Sequence, residues 1–121
     1  MRNHTKLQAF RLAESVALSV YRATKDFPSE ERYGLSAQMR RCALSVASNI
    51  VEGSARISHA DYVRFLNIAY GSACELHFQV SFSRKLGILT GEHAQSLQAD
   101  CDELARVLNG LIQALRRRRP R

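Results

Sequence analysis

The chain has few residues that interrupt helices, since only two prolines and six glycines occur in its 121 residues. Proline and glycine break or weaken helices, so their scarcity favours long helices over many short strands joined by turns. The length suits one ordinary domain and leaves little room for two. Composition therefore predicts a single, mainly helical domain.

Cysteine is also scarce, and Cys42, Cys74 and Cys101 are an odd number at wide spacing. This pattern does not indicate a disulfide framework. Each cysteine falls among apolar positions of a helical pattern, which predicts small buried side chains in a reducing compartment. Residues 1–6 are polar and basic, and no apolar run follows them. We therefore expect no signal peptide and a cytoplasmic protein.

A long uninterrupted apolar run is missing. Glu75 is the only formal charge in residues 65–83 apart from the histidine, but Asn67, His77 and Gln79 also interrupt this stretch. Polar groups of this kind are costly inside a bilayer. The sequence therefore predicts no membrane partner.

Motifs for metal binding and catalysis are missing too. No histidine follows a glutamate by three residues, as ferritin-like bundles require. Cys74 and His77 share a helical face, but a zinc site needs more ligands, and we interpret them as a buried thiol beside a partly exposed imidazole. No glycine-rich phosphate loop or nucleophile motif is present. We therefore expect no catalytic residue, no metal and no cofactor.

The apolar residues that are present follow helical spacing. Steps of three and four predict a first helix over about residues 6–26, ending before Phe27-Pro28, and a second helix that begins near Leu35. Ser58 and Thr90 are placed to cap a third and a fourth helix, and Gly87 suits the end of the third. We expect an all-α, antiparallel up-down four-helix bundle over residues 1–115 and a basic tail over residues 116–121.

The third helix is apolar around most of its circumference. A helix of this kind is normally buried on more than one side, which a four-helix bundle of this size rarely offers, so we expect a homo-oligomer. Its main stripe is Tyr62, Leu66, Ala69, Ala73, Leu76 and Val80, with Phe65, Ile68, Tyr70, Phe78 and Phe82 off the stripe. The fourth helix has a heptad stripe of Leu97, Cys101, Leu104, Leu108, Leu111 and Leu115.

Polar residues also fall on the apolar stripe of the second helix. Asn49 lies on that stripe, and Glu52 is spaced to pair with Arg56 four residues later. Gly53 is expected where helices approach closely, and Gly71 is expected to allow the same in the third helix.

Glu75 stands alone in the apolar third helix and needs a donor, for which Arg40 and Arg41 are candidates. We interpret Asn49, Glu52 and Glu75 as a structural polar network. Two carboxylates could also perform acid–base chemistry, so an enzymatic site is an alternative.

The net charge of +7 is unevenly placed. Without the five arginines at the end of the chain, 13 basic and 11 acidic residues remain, so the rest of the chain is nearly neutral. The tail and a basic face could bind RNA or DNA by displacing counterions; the alternative is a solvated surface. The candidate contact residues are Arg40, Arg41, Arg56, Arg116, Arg117, Arg118, Arg119 and Arg121, and Arg64 could extend the face.

Several short motifs follow one another in a specific order. They are residues 27–35 (FPSEERYGL), residues 38–41 (QMRR), residues 45–53 with Arg56, and Tyr62, Phe65-Leu66, Ala69, Gly71-Ser72, Glu75-Leu76 and Leu86-Gly87. Together they resemble the four-helix bundle protein family, also called the 23S rRNA intervening-sequence protein family, over about residues 7–115. The family's usual tryptophan in the first helix is absent, and the arginine tail is not a general family feature.

This resemblance implies a non-enzymatic four-helix bundle that forms a ring-shaped homo-oligomer, with a pentamer as the expected state. Members are encoded within bacterial 23S rRNA genes or as free-standing genes. Relatives serve as accessory proteins of reverse transcriptases, binding the enzyme and nucleic acid. Our leading hypothesis is therefore a homo-oligomer that binds RNA, DNA or a nucleoprotein such as a reverse transcriptase; the alternative is an adaptor for another protein with no nucleic-acid role.

Overall fold

The computed structural model describes residues 2–118. Four helices contain most of them: α1 is Gln8–Thr24, α2 is Leu35–Ser54, α3 is His59–Lys85 and α4 is Gly91–Arg117. Two short 3-10 helices, His4–Lys6 and Ser29–Glu31, precede α1 and α2. No strand occurs in residues 2–118, so the expected all-α fold with four helices is confirmed.

Each helix packs against the next one, and α1 also packs against α4. Met39, near the start of α2, contacts Ser83 near the end of α3, whereas Gly53 at the end of α2 lies against Tyr62 near the start of α3. These two helices are therefore antiparallel. α3 and α4 are antiparallel as well, because His59 at the start of α3 contacts Leu115 near the end of α4, and the later His77 contacts the earlier Asp102.

The ends of the helices follow local chemistry. α1 is two residues shorter at each end than the predicted helix over residues 6–26. Before α1, the Asn3 side chain accepts a hydrogen bond from the Thr5 amide at 3.1 Å and caps the short 3-10 helix His4–Lys6. The α3 cap is as predicted, because Ser58 Oγ accepts from the Asp61 amide at 3.0 Å. Gly87 follows α3 with a φ of 80°, a conformation that favours glycine.

The core lies along the centre of the four helices. All six residues of the predicted α3 stripe are buried. The α4 stripe holds as far as Leu108 and then passes to Ile112, leaving Leu111 and Leu115 only partly buried. A straight helix repeats every 3.6 residues, so a strict heptad drifts off its face. The largest fully buried side chains are Met39, Ile50, Leu66, Leu76, Leu104 and Leu108.

Two glycines test the predicted close approach of helices. A Cβ on Gly53 would lie 2.9 Å from the Cβ of Phe65, so α2 and α3 do meet closely there. A Cβ on Gly71 would have no neighbour within 4 Å. The expectation that Gly71 permits close packing within the chain is wrong, because this residue faces outward from α3.

Candidate functional site

Guanidinium groups from separate parts of the chain meet where α2 ends and α3 begins. Arg2 donates to the carbonyl oxygen of Arg56 at 2.6 Å and lies 4.1 Å from the centre of the Tyr62 ring. Arg56 and Arg64 lie 4.9 Å and 4.5 Å from the centre of the Phe65 ring. Stacking on aromatic rings therefore positions these three arginines side by side.

The end of α4 reaches the same place. A ring nitrogen of His59, at the start of α3, lies 2.8 Å from the carbonyl oxygen of Leu115. Arg116 donates to the Asn67 side chain at 3.4 Å, and α4 continues through Arg117. We call this surface the arginine-rich end; it comprises Arg2, Arg56, Arg64, Arg116, Arg117 and Arg118. The predicted contact residues Arg119 and Arg121 lie outside the described residues.

Two carboxylates accompany the arginine-rich end. The predicted pair of Glu52 and Arg56 is present at 2.7 Å, and Arg64 lies 3.7 Å from Asp61. All four side chains are about half exposed, between 42% and 60%. Exposed ion pairs hold their partners by about 1 kcal/mol or less. The arginines can therefore exchange these carboxylates for a phosphate.

Arg40 lies far from this end. It is 14 residues before Ser54, the last residue of α2, which corresponds to about 21 Å along the helix, and Arg56 lies beyond that end. Arg40 Nε donates to Thr24 Oγ1 at 2.8 Å, and its Nη2 donates to the carbonyl oxygen of Tyr21 at 3.3 Å. Arg41 is exposed beside it. The predicted contact residues thus form two groups rather than one basic face.

The three residues proposed as a polar network do not meet. Asn49 donates to Ser45 within its own helix, to the carbonyl oxygen at 2.8 Å and to Oγ at 3.1 Å. Ser45 Oγ in turn lies 2.9 Å from Ser72 Oγ, which joins α2 to α3. The antiparallel register places Glu52 at the level of Phe65 and therefore about 15 Å along α3 from Glu75. A two-carboxylate site is not formed within one chain.

Glu75 also lacks the predicted arginine partner. Its carboxylate accepts a weak bond of 3.4 Å from Gln79 and is exposed on α3. Arg40 turns instead toward α1. Gln79 is buried, and among the described residues its Oε1 has no hydrogen-bond partner. The Glu75–Gln79 pair therefore has hydrogen-bond acceptors on this side of α3 that no other described residue satisfies.

The cysteines divide into two kinds. Cys42 and Cys101 are buried as predicted, and Cys42 donates to the carbonyl oxygen of Ser72 at 3.0 Å. Burial raises the pKa of Cys42 to about 11, with the nearby Glu75 charge adding to it, and burial raises the pKa of Cys101 to about 12. Cys74 is exposed, so its predicted burial is wrong. It lies on the outer side of α3, which the helices of residues 2–118 leave uncovered.

A second apolar stripe runs along that outer side. Its exposed hydrophobic members are Ile68, Phe78 and Phe82, and the last two rings stack with centres 5.8 Å apart. The spacing repeats that of the buried stripe, shifted by two residues. We call it the outer stripe of α3: Arg64, Ile68, Gly71, Glu75, Phe78 and Phe82, all exposed. The steps of four and three are visible in the sequence, where Ile68, Phe78 and Phe82 are the apolar positions off the main stripe.

The described residues contain neither a metal-ligand cluster nor a membrane-spanning helix. Within residues 2–118 no three metal-ligating side chains cluster, and His77 contacts Asp102 at 2.5 Å rather than a thiol. None of the helices in that part of the chain is long and apolar enough to cross a bilayer. Two open clefts of about 450 and 590 Å³ lie at the opposite end of the bundle, one between α1 and α4 and one at the α1–α2 connection.

Sequence reasoning missed two residues of these surfaces. Arg2 reaches the arginine-rich end only because the chain before α1 folds back, and its amide donates to the carbonyl oxygen of Ser54 at 3.3 Å. No local pattern predicts that contact. Tyr33 is 86% exposed beside Arg32; its place in a polar connection after Pro28 could have indicated exposure.

Comparisons with known proteins agree with this fold. The chain is similar to a crystal structure of a protein of unknown function from the S23 ribosomal protein family of Bacteroides thetaiotaomicron, with a TM-score of 0.79 and 24% sequence identity. The match covers 87% of this chain and 95% of the other. No curated protein matches the chain. The family model described as 23S rRNA-intervening sequence protein matches residues 5–110. The chain therefore belongs to the 23S rRNA-intervening sequence protein family.

Proposed function

We propose that the protein is a non-enzymatic, self-assembling helical bundle that binds RNA, DNA or a nucleoprotein partner through its arginine-rich end. The observation that carries the nucleic-acid part is the meeting of Arg2, Arg56 and Arg64 with the last turn of α4. Guanidinium groups bind phosphate oxygens in a planar, two-bond geometry. Polyanion binding by such a surface gains free energy from released counterions.

A salt series tests this binding. We expect a fluorescent single-stranded RNA to bind the wild-type protein with an affinity that falls steeply with salt, by a slope of about 0.7 for each phosphate contacted. Changing Arg56, Arg64, Arg116, Arg117 and Arg118 to glutamine should weaken binding by more than about tenfold and flatten the slope. The matched control changes Arg84 and Lys85, exposed cations at the far end of α3. Absence of RNA affinity at low salt, or an unchanged slope in the variant, would contradict the proposal.

The outer stripe of α3 supports self-assembly. Its steps of four and three match the repeat with which helices pack on each other, and a second copy of α3 has the same repeat. Gly71 in its middle has open space around its missing Cβ, which lets a partner helix approach closely. Phe78 and Phe82 are 63% and 44% exposed, and burying these exposed parts would contribute about 1.5–3 kcal/mol per copy for the two rings together. The family resemblance implies a pentamer, and we propose that state.

Light scattering after nuclease treatment measures the assembly. The single chain has a mass of 13.6 kDa, and we expect a particle about five times heavier. Replacing Phe78 and Phe82 with glutamine should shift the particle toward the single-chain mass. The control is Leu18→Gln, which changes an equally exposed apolar residue on α1. A wild-type mass of one chain would rule out self-assembly.

The adaptor alternative gives a different result in the same preparations. A protein that remains bound in a pull-down after nuclease treatment, with no RNA affinity in the salt series, would indicate an adaptor whose charge only aids solubility. A partner lost with the nucleic acid supports the nucleic-acid role.

A further inference from the structure

A cleft of about 590 Å³ lies at the connection between α1 and α2. Lys25, Arg32 and Arg40 line it together with the aromatic ring of Tyr33, while Phe27 and Ala37 supply apolar wall. None of the described residues that line it is acidic. The cleft therefore combines three cations with an apolar surface, at the opposite end of the bundle from the arginine-rich end.

The carboxylates near the cleft are not among the residues that line it. Glu31, in the same connection, accepts a hydrogen bond from the Leu35 amide at 3.3 Å and so occupies the start of α2. Asp26 lines the neighbouring cleft between α1 and α4. Glu30 is exposed in the short helix of the connection. The positive charge of the cleft wall is thus not cancelled by an ion pair within it.

Arg40 is held in place before any ligand arrives. Its bonds to Thr24 Oγ1 and to the Tyr21 carbonyl oxygen use Nε and Nη2, and its guanidinium lies 4.8 Å from the centre of the Tyr21 ring. A side chain fixed in this way loses little conformational entropy when it meets an anion. Arg40 is therefore a prepared phosphate donor on the cleft wall.

Tyr33 supplies the second kind of contact. Its side chain is 86% exposed, and the guanidinium of Arg32 lies 5.6 Å from the ring centre. An open aromatic ring beside a cation is the arrangement on which unpaired bases stack, and such stacking accepts any base. A base within a duplex could not reach the ring, because its faces are covered by its neighbours.

We propose that this cleft binds a nucleotide unit of single-stranded nucleic acid, with phosphate at Lys25, Arg32 and Arg40 and the adjacent base on Tyr33. The inference rests on the proposed nucleic-acid role and extends it to a second surface that reads an unpaired base. The arginine-rich end would hold the backbone of a strand by charge alone, whereas the cleft would distinguish single strands from duplex and from strands without bases.

Two fluorescent probes separate stacking from charge: a twelve-nucleotide oligothymidylate and a twelve-unit abasic strand with the same phosphates. We expect Tyr33→Ala to weaken binding of oligothymidylate about tenfold and to leave the abasic strand unchanged. Tyr33→Phe keeps the ring and should keep the affinity. Arg32→Gln should weaken both probes and flatten the salt dependence by about 0.7, while Arg22→Gln, an exposed cation outside the cleft, should change neither.

Three results would overturn the proposal. Equal affinity of the wild-type protein and Tyr33→Ala for oligothymidylate removes the stacking role. Equal loss for both probes, in a Tyr33→Ala protein whose melting temperature equals that of wild type, shows that Tyr33 does not act by stacking on a base. The third result is that a twelve-residue polyglutamate displaces oligothymidylate at equal charge and that its binding weakens to the same extent in Tyr33→Ala. The cleft would then be a site for an acidic peptide.

The outcome also separates this inference from the proposed function. If Tyr33→Ala binds normally while glutamine substitutions at the arginine-rich end abolish binding, the proposed function stands and the cleft proposal falls. If the wild-type protein binds neither probe at low salt, both fall.

Discussion

Gly53 shows how one residue sets the distance between two helices. A Cβ there would lie 2.9 Å from Phe65 Cβ and 3.3 Å from the Tyr62 carbonyl oxygen, so only glycine fits without a shift. Its place on the α2 stripe predicted this approach, as the spacing of Glu52 and Arg56 predicted their ion pair. The position of Arg2 could not be predicted, because it depends on how the chain before α1 returns to α2.

Gly53→Ala should destabilise the fold. The added methyl meets Phe65 Cβ, which is anchored to backbone and cannot swing away, so we expect a loss of about 1–3 kcal/mol in the free energy of unfolding. Urea denaturation measures it. Gly110→Ala is the matched control, because Gly110 lies within α4 with no neighbour within 4 Å. That variant should gain up to about 1 kcal/mol from helix propensity. A stability equal to wild type for Gly53→Ala would contradict the close-approach argument.

At the scale of elements, apolar periodicity predicted which segments are helices better than it predicted where each helix begins and ends. The four helices and the α3 cap at Ser58 follow from local spacing and hydrogen-bond chemistry. The end of the α4 stripe differs from the predicted heptad, because a straight helix repeats every 3.6 residues and brings Ile112, not Leu111, onto the buried face. The partner of Arg40 could not be predicted from local spacing either. Its contact with Thr24 depends on how α1 and α2 are aligned along their axes.

The two predicted caps give a direct comparison. Ser58→Ala removes the bond from Ser58 Oγ to the Asp61 amide and should cost about 1 kcal/mol of stability. Thr90→Ala removes a side chain that makes no capping bond, so its cost should be much smaller. Thermal denaturation of the two variants measures the difference. Equal losses would mean that the cap bond of Ser58 contributes nothing.

The whole molecule is a small bundle whose two ends differ. One end gathers arginines from the start of the chain, the α2–α3 connection and the last turn of α4, and the other has the cleft with Tyr33. The sequence predicted which arginines were candidates but grouped Arg40 and Arg41 with Arg56. Arg40 and Arg41 lie near the start of α2, about 21 Å along its axis from its last residue, Ser54, and Arg56 follows beyond that end.

Alkaline pH should weaken the whole fold through its buried thiols. The pKa values of Cys42 and Cys101 rise to about 11 and about 12 from an ordinary 9.0, so the native state keeps protons that the unfolded state releases. The contribution of the two thiols to the free energy of unfolding is therefore fully present below about pH 9. It is lost as the pH rises from there through their native pKa values, by about 1.4 kcal/mol per pH unit for each thiol.

Urea denaturation of the reduced protein at a series of pH values above about 9 measures this slope. The double variant Cys42→Ala and Cys101→Ala should show a shallower slope, even if its stability at neutral pH is lower. If the slopes of the two proteins coincide, the thiols do not govern alkaline stability.

The two stripes of α3 limit how this helix can change in length. The outer stripe is the buried stripe moved by two residues, so one sequence satisfies two repeats at once. Inserting or deleting one residue turns everything beyond it by about 100° and displaces both stripes together. The segment beyond the change would have to unwind by the same angle to bring either stripe back to its place. Changes of length are therefore excluded from α3 and confined to the connections, above all to the ten residues between α1 and α2.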